Sequence, residues 1–299
     1  MEIVPLARGF AAELRGVTIQ DVAASEAAYA TVRAAFEEHS VLVLRGQDVT
    51  DDAQLAFSRR FGPLEVTKIG SLGYRTNLVV LKTLDEKGDV VPEDHRLALE
   101  NKANQLWHTD SSFKSVPALA SVLSSRIVPA RGGETEYVST RLAFERLDPA
   151  LQRRLEESFA WHEYAYSRSK IAPDLAGPAE RAALPPQCWR LVWQNPVNGR
   201  KALYMASHTY AIEGMEPEAA QALLGELTRA ATAPGASYLH SWREGDVVMW
   251  DNRAVMHRGR PWPAGEPRHM VRSTISATAG DGLDAMYAPT RRAATSRRG

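Results

Sequence analysis

The amino-acid sequence predicts a β-rich α+β fold, with a double-stranded β-helix of the jelly-roll or cupin-like kind at its core and helices at its periphery. Short apolar or alternating segments recur between turn signals, and those that should pair lie far apart along the 299 residues. Strands and helices do not alternate regularly, which argues against a parallel sheet built from βαβ units.

The N-terminal part contains two predicted helices on either side of a buried strand. Residues 24–38 are rich in Ala and Glu and carry apolar residues at helical spacing, which predicts a helix. The apolar run 41–44 predicts a buried strand, and Thr50 is a capping residue before a second amphipathic helix. From residue 66 to 105 the pattern is irregular apart from the apolar run 78–81, so we expect a loop or lid there.

The central part combines strand patterns with a further irregular stretch. Residues 118–128 and 134–138 have strand patterns on either side of the double glycine at 132–133, which predicts a hairpin. An Asp-Pro pair at 148–149 marks the start of a helix. Between residues 164 and 193 prolines are frequent and aliphatic residues are few, which predicts a second long loop over a site.

The C-terminal part contains a last helix and two strands. Residues 217–227 have helical spacing of leucines, and the segments 247–250 and 271–277 have strand patterns. We therefore expect residues 1–277 to form a single domain. Residues 278–299, with four arginines near the end, are predicted to form a solvated basic tail.

Composition favours a protein that acts on small molecules. The chain has 36 basic and 36 acidic residues, so its balanced charge gives no reason to expect nucleic acid or a membrane as partner. Its single cysteine, Cys188, excludes an intrachain disulfide and a CxxC motif. The first residues lack the features of a signal peptide, and no apolar stretch approaches the roughly 18 residues of a membrane span. We expect a cytoplasmic location.

The segment His108-Thr109-Asp110 is the strongest chemical signal in the chain. On an extended segment the first and third residues point to the same face, so an imidazole and a carboxylate can bind one metal ion. A second imidazole from His257 would complete the facial ligand set of non-haem Fe(II) oxygenases. A lone HxD pair occurs often by chance. Its combination with the Trp250-to-His257 segment makes chance a poor explanation.

Two arginines near the C-terminus predict an anion site. Arg268, Met270, Arg272 and Thr274 have the same parity, so on a strand both guanidinium groups face the same way. A guanidinium group matches a carboxylate with two hydrogen bonds, as a dicarboxylate cosubstrate or an acidic substrate would require. The alternative is a surface pair with acidic neighbours such as Glu266.

Several sequence blocks occur in the order found in a known family. They are residues 40–47, 60–65, 101–113, 132–136 and 249–259. On these blocks the chain resembles the taurine dioxygenase (TauD/TfdA) family of Fe(II)- and 2-oxoglutarate-dependent dioxygenases, over residues 16 to 275. Within that family it is most similar to the phenoxyacetate herbicide dioxygenases.

The resemblance implies roles for individual residues. It makes His108, Asp110 and His257 the iron ligands, and Thr135 and Arg268 the partners of the far carboxylate of 2-oxoglutarate. Arg272 resembles the family arginine that meets the anionic group of the substrate or the near end of 2-oxoglutarate. Substrate-binding roles are implied for Asn104, Lys68, His208 and Arg272. Family members are usually homo-oligomers, so we expect one here.

The resemblance also implies a reaction. Fe(II), 2-oxoglutarate and O2 would hydroxylate a C–H bond of an anionic small molecule, with release of succinate and CO2. The intact Asp110 favours hydroxylation over halogenation, and an aryloxyalkanoate is the favoured substrate, with ether cleavage to a phenol and an oxo acid. Two alternatives remain open at this point: a taurine or alkylsulfonate dioxygenase, and a catalytically silent cupin-like binding protein.

Overall fold

The computed structural model describes residues 1–288 of the chain. The strands, in chain order, are β1 Glu2–Ala7, β2 Phe10–Arg15, β3 Val41–Leu44, β4 Leu78–Lys82, β5 Ala118–Ile127, β6 Thr135–Ser139, β7 Phe159–His162, β8 Gln187–Arg190, β9 Val192–Gln194, β10 Lys201–Leu203, β11 Thr209–Ile212, β12 Ser237–His240, β13 Val247–Asp251, β14 Val255–Gly259 and β15 His269–Ser276. The helices are α1 Ile19–Ala24, α2 Glu26–His39, α3 Asp51–Arg59, α4 Arg96–Ala103, α5 Thr140–Glu145, α6 Pro149–Glu156, α7 Tyr164–Ser169, α8 Pro178–Ala183, α9 Pro217–Ala231 and α10 Leu283–Met286, with a 3₁₀ turn at Ala279–Asp281. None of the helices in this part of the chain is long and apolar enough to cross a membrane.

A large sheet and a small sheet pack together in the core. The large sheet has seven strands in the order β1-β2-β3-β13-β5-β15-β4, and all neighbours are antiparallel except β2 and β3. The small sheet has the order β12-β6-β14. Val43, Val248 and Trp250 of the large sheet pack in one cluster with Tyr137 and Val255 of the small sheet. Apolar burial therefore joins the two sheets.

Helices cover the other face of the large sheet. Leu42 alternates with Val43 along β3 and belongs to a second cluster, which contains Phe36 of α2 and Phe57 of α3. The buried amide of Gln54, also in α3, donates to the carbonyl oxygen of Val122 at 2.9 Å. The predicted helices at 24–38 and after Thr50 are α2 and α3, and the predicted β-rich α+β class with peripheral helices is confirmed.

The predicted hairpin around the double glycine is wrong. β5 pairs with β13 and β15 in the large sheet, whereas β6 pairs with β12 and β14 in the small one. Gly132 and Gly133 both have positive φ, and a Cβ atom on Gly132 would lie 2.6 Å from the carbonyl oxygen of Pro261. These glycines permit close backbone packing while the chain passes from one sheet to the other, instead of reversing it within one sheet.

Both predicted loop or lid segments contain regular structure, so the prediction of long irregular loops is wrong for these parts. Residues 66–105 include β4 and α4, and residues 164–193 include α7, α8, β8 and β9. The pattern missed α4 because Ala103 is its only buried residue, which leaves no apolar stripe along the helix. β4 is an edge strand that is half-buried along its whole length, so its residues do not alternate.

The prediction of a solvated tail is wrong for residues 278–288. The 3₁₀ turn and α10 follow β15, and Leu283 and Met286 belong to the main core cluster. The ring of Tyr287 lies 5.3 Å from that of Trp189. Residues 278–288 are therefore packed. The remainder of the predicted tail, residues 289–299 with its arginines, lies outside the described residues.

Candidate functional site

His108 and His257 are joined through their backbones. His108 follows α4, and its N–H donates to the carbonyl oxygen of His257 at 2.9 Å, while the N–H of His257 donates back at 2.8 Å. The two rings lie 4.1 Å apart, centroid to centroid. His257 is the central residue of β14, which pairs with β6 on its other side. The small sheet thus holds both imidazoles side by side.

Asp110 completes a cluster of three buried ligand groups. Its Oδ1 lies 3.9 Å from Nε2 of His108, and its Oδ2 lies 3.8 Å from Nε2 of His257. One ligand atom from each residue lies within 4.8 Å of the others. Two imidazoles and one carboxylate at this spacing form the facial ligand set that leaves positions open on a non-haem iron. The structure therefore brings together the three residues named from the sequence.

Both histidines are prepared to bind a cation as neutral ligands. Nδ1 of His108 lies 2.7 Å from the carbonyl oxygen of Leu106. Because a carbonyl only accepts, this nitrogen carries the proton and the lone pair is on Nε2. Burial lowers the pKa of His108 and of His257 below the usual value. The imidazoles are therefore neutral at pH 7, as metal binding requires.

Asp110 is held in place by three neighbours, two at its carboxylate and one at its backbone. The hydroxyl of Ser121 donates to its Oδ2 at 2.6 Å, and Arg272 donates to its Oδ1 at 2.5 Å. The side chain of Asn252 accepts from the backbone N–H of Asp110 at 3.0 Å. Burial alone would raise the pKa of Asp110, but the positive charge of Arg272 and contacts with the two histidines hold it below its usual range. The group is ionised at neutral pH.

Arg268 is a buried cation that lacks an anionic partner. Its side chain contacts no acidic group within 4 Å anywhere in residues 1–288, and its Nη2 reaches only the carbonyl oxygen of Gly133 at 3.4 Å. Its guanidinium lies over the ring of Trp262, 4.9 Å from the centroid. Burial lowers its pKa to about 10, so the charge persists at pH 7. A buried charge of this kind needs an anion.

One cavity connects this cation to the histidine pair. Thr135, His108, His257, Arg268 and Arg272 all line it. The predicted common face of Arg268 and Arg272 is thus confirmed, and the alternative of a surface pair is wrong because Arg268 is 7% exposed. A molecule with a carboxylate at Arg268 would therefore lie in the same cavity as the two imidazoles.

The residues predicted to bind substrate surround an adjoining cavity. Its lining includes Lys68, Asn104, His208 and Arg272, together with His108 and Asp110. The Nζ of Lys68 donates to the carboxylate of Glu180 at 2.7 Å and lies 4.5 Å from the ring centroid of Tyr164. His208 is buried beside Phe113, with ring centroids 4.7 Å apart. Asn104 borders both cavities.

Two groups near this cavity were not identified from the sequence. Arg168 of α7 lines the cavity, and its Nε donates to Glu100 at 3.0 Å. Glu180 of α8 is buried and accepts hydrogen bonds from Lys68 and from Arg96, the latter at 2.6 Å. No motif marks these residues. The composition of residues 164–193 gives no signal either, and the pairing of these groups depends on how α4, α7 and α8 pack.

Comparison with known proteins agrees with this geometry. The taurine catabolism dioxygenase TauD, TfdA family matches residues 2–274. The chain is 40% identical over 243 residues to an alpha-ketoglutarate-dependent 2,4-dichlorophenoxyacetate dioxygenase of Cupriavidus pinatubonensis, covering 80% of this chain and 85% of the relative. It is 34% identical over 283 residues to a (S)-phenoxypropionate/alpha-ketoglutarate-dioxygenase of Sphingobium herbicidovorans, covering 92% and 94%.

A solved structure supports the same relationship. The crystal structure of AAD-2 in complex with Mn(II) and N-oxalylglycine has a TM-score of 0.86 and 34% sequence identity, and the match covers 93% of this chain and 98% of that one. The fold, the cluster of two histidines and an aspartate, and the sequence matches along nearly the whole chain agree. The chain belongs to the TauD/TfdA family of 2-oxoglutarate-dependent dioxygenases.

Proposed function

We propose that this protein is an Fe(II)- and 2-oxoglutarate-dependent dioxygenase that hydroxylates an aryloxyalkanoate. The observation that carries the proposal is the buried guanidinium of Arg268, which has no acidic partner within residues 1–288 and lies in the same cavity as His108 and His257. Relatives named for dichlorophenoxyacetate and phenoxypropionate support the substrate class. The proposal includes a jelly-roll core, and the packing of the large sheet against the small sheet supports it.

The three clustered side chains would hold the metal. His108, Asp110 and His257 fit a ferrous ion because they offer two neutral imidazoles and one ionised carboxylate in a buried place. When bound, iron with 2-oxoglutarate and O2 supplies the oxidation of a substrate C–H bond, with release of succinate and CO2. The protein's part is orientation and exclusion of water. Ser121 would keep the Asp110 carboxylate oriented, and Asn252 would hold the backbone of Asp110 and donate to the Ser121 hydroxyl.

Arg268 and Thr135 would bind the far carboxylate of 2-oxoglutarate. Both are buried and both line the cavity that leads to the histidine pair. A carboxylate bound there would neutralise Arg268 and accept charge-assisted hydrogen bonds. The near end of the same molecule would then point toward the metal ligands. Arg272 stands between this cavity and the adjoining one, so it can serve either the near end of 2-oxoglutarate or the substrate.

The adjoining cavity would take the anionic substrate. Lys68, Arg272 and Arg168 give it positive charge, and Asn104 and His208 contribute polar and aromatic surface. Hydroxylation of the carbon that carries the ether oxygen would give a hemiacetal. Its collapse breaks the carbon–oxygen bond to that ether oxygen, which leaves as the phenol, while the former hydroxyl becomes the carbonyl of glyoxylate or pyruvate. A cytoplasmic location and a homo-oligomeric state remain predictions.

Succinate formation with a panel of acids tests the proposal. The iron-loaded protein is given 2-oxoglutarate and O2 with phenoxyacetate, 2-phenoxypropionate or taurine, and succinate and phenol are measured. We expect succinate and phenol in equal amounts with at least one phenoxy acid. Stimulation by taurine alone would instead identify an alkylsulfonate dioxygenase. Absence of a charge-transfer band with Fe(II) and 2-oxoglutarate under anaerobic conditions would identify a catalytically silent binding protein.

A further inference from the structure

The indole of Trp242 donates a hydrogen bond to the proposed cosubstrate residue Thr135. The distance from its Nε1 to Oγ1 of Thr135 is 3.0 Å. Thr135 is the first residue of β6 and pairs with His240, the last residue of β12, so Trp242 lies two residues beyond the paired position. The strand pairing therefore brings the indole to the threonine side chain.

This contact determines which further hydrogen bonds the Thr135 hydroxyl can make. An indole N–H only donates, whereas a hydroxyl has one hydrogen to donate and two lone pairs. Trp242 occupies one lone pair of Thr135, and the hydroxyl hydrogen remains to be donated elsewhere. Thr135 is 3% exposed and lines the cavity beside Arg268. A carboxylate bound to Arg268 is an acceptor that suits this hydrogen, since carboxylates only accept when ionised.

The position of the indole is fixed by packing on its other side. The ring of Trp242 meets that of His240 edge to face, with centroids 4.4 Å apart. His240 is fully buried and its Nε2 lies 3.3 Å from a carboxylate oxygen of Asp246. Asp246 in turn pairs with Arg45 and accepts from the backbone N–H of Arg243 at 2.8 Å. Packing against His240, which lies beside Asp246, therefore fixes the position of the indole.

Tyr137 is a second polar residue beside Thr135. It lies on the same face of β6 as Thr135, close enough to interact with it, and it is completely buried. Its hydroxyl has no hydrogen-bond partner among the described residues. Burial raises its pKa well above the usual value, so it stays protonated. A Thr135 hydroxyl turned toward Tyr137 would be the competing arrangement, and a Tyr137 variant separates the two.

We infer that Trp242 is a positioning residue for the cosubstrate, because it directs the hydroxyl hydrogen of Thr135 toward the far carboxylate of 2-oxoglutarate. The inference rests on the proposed function and extends it to a residue outside the cavity. It makes a prediction that a purely structural role does not make. Loss of the indole N–H must weaken the binding of only those ligands that possess the far carboxylate.

Calorimetry on the full-length Mn(II)-loaded protein tests this with two ligands. 2-Oxoglutarate has the far carboxylate, and 2-oxopentanoate has a methyl group in its place. Trp242→Phe removes the N–H and keeps an aromatic ring. We expect it to lower the affinity for 2-oxoglutarate about three- to tenfold, as for loss of one hydrogen bond. The affinity for 2-oxopentanoate should fall less than about twofold. Trp193→Phe is the matched control, since that buried indole donates to the carbonyl oxygen of Asp281 and neither residue lines the cavity.

Three further variants make the outcomes distinguishable. Arg268→Ala and Thr135→Val should each lower the affinity for 2-oxoglutarate more than that for 2-oxopentanoate. Trp242→Phe added to Thr135→Val should cause no further loss of affinity. If these two single variants discriminate between the ligands and Trp242→Phe does not, the positioning role is wrong and the proposed function stands. If Arg268→Ala fails to discriminate, the proposed cosubstrate site itself is wrong.

The Tyr137→Phe variant tests the competing arrangement. We expect its affinity for 2-oxoglutarate to stay within about twofold of the parent, because loss of the phenol leaves the Trp242 contact intact. A selective loss in Tyr137→Phe together with normal binding in Trp242→Phe would assign the orienting role to the tyrosine and overturn the inference. Near-ultraviolet circular dichroism checks that each variant folds, and Trp242→Leu serves if the phenylalanine variant does not.

Discussion

His108 and His257 are backbone partners, with each N–H donating to the carbonyl oxygen of the other at 2.9 and 2.8 Å. The two imidazoles are therefore oriented by strand pairing before any ion binds. Asp110 follows on the same segment and is tied to Asn252 and Ser121. Such an arrangement is preorganised, because the ligand groups need little rearrangement to bind one cation.

The three-ligand assignment predicts loss of metal binding in single variants. His257→Ala and Asp110→Ala should each weaken Mn(II) binding by at least about 100-fold, since loss even of an outer neighbour typically costs 10- to 100-fold. Calorimetric titration with Mn(II) measures this. His39→Ala, at the end of α2, is the control. Metal affinity equal to that of the parent in either ligand variant would show that the cluster does not bind the ion.

Removal of the Arg268 side chain should weaken binding of the cosubstrate 2-oxoglutarate. A hydrogen bond to a charged group contributes about 1.5–3 kcal/mol, so Arg268→Ala should raise the KM for 2-oxoglutarate about 10- to 100-fold. The KM for the phenoxy acid should change much less. Arg260→Ala is a matched control, because Arg260 is exposed and pairs with Glu136 at 3.5 Å. Equal changes in both KM values would argue against a dedicated carboxylate site.

The metal ligands could be predicted from the sequence because they depend on short-range geometry. Alternation along an extended segment is enough to place His108 and Asp110 on one face. The path after Gly132 could not be predicted in this way. A double glycine permits either a reversal or a close approach, and only the contact with Pro261, which is distant in sequence, decides between them. His257 was linked to them by chemistry, since a second imidazole completes the facial ligand set, and the family resemblance implies the same residue.

The charged groups over the substrate cavity could not be predicted for a related reason. Arg168 and Glu100 lie on two short helices, and each carries charge without a recognisable pattern. Their ion pair at 3.0 Å exists because α4 and α7 pack together. Tertiary packing of weakly amphipathic helices is not encoded in local periodicity, so such sites appear only once the fold is known.

Arg272→Ala should weaken binding of the phenoxy acid more than binding of the metal ion. The guanidinium holds Asp110 at 2.5 Å and also lines the substrate cavity. Asp110 keeps its contacts with Ser121 and Asn252 in the variant, so Mn(II) affinity should fall less than tenfold, or about 1.4 kcal/mol. The KM for the phenoxy acid should rise by about tenfold or more. A larger change in the KM for 2-oxoglutarate than for the acid would assign Arg272 to the cosubstrate.

A buried ion network under the large sheet should control stability. Glu37 is 4% exposed and pairs with Arg253 at 2.8 Å and Arg33 at 2.6 Å, while Asn195 donates to it at 2.6 Å. Glu37→Gln removes one of the two carboxylates that each of these arginines contacts, while Arg253 keeps Asp251 and Arg33 keeps Asp281. It should lower the free energy of unfolding by about 1.5–3 kcal/mol, as for loss of a hydrogen bond to a charged group. Glu38→Gln, at the next and exposed position, should change it by less than about 0.5 kcal/mol. Urea unfolding compares them, and similar midpoints would refute the role of the network.

Glu180 should make the stability of the protein depend on pH. Burial would raise its pKa, but hydrogen bonds from Lys68 and Arg96 lower it from 4.5 to about 2. Because the folded-state pKa is depressed, its contribution is complete above about pH 4.5 and is lost as pH falls toward 2. Glu180→Gln should therefore be less stable than the parent at pH 7 in urea unfolding, by about 2 kcal/mol.

The same difference should shrink between pH 4.5 and pH 2, where the parent's carboxylate becomes protonated as well. Glu226→Gln, at an exposed position of α9, is the control and should follow the parent throughout. The hydrogen bonds of Glu180 also join α8 to Lys68, which lines the substrate cavity, and to Arg96 of α4. Hydrogen exchange of residues 66–77 should accordingly quicken in Glu180→Gln at pH 7. A stability difference that is the same at pH 7 and pH 3 would mean that the glutamate acts through its shape and not its charge.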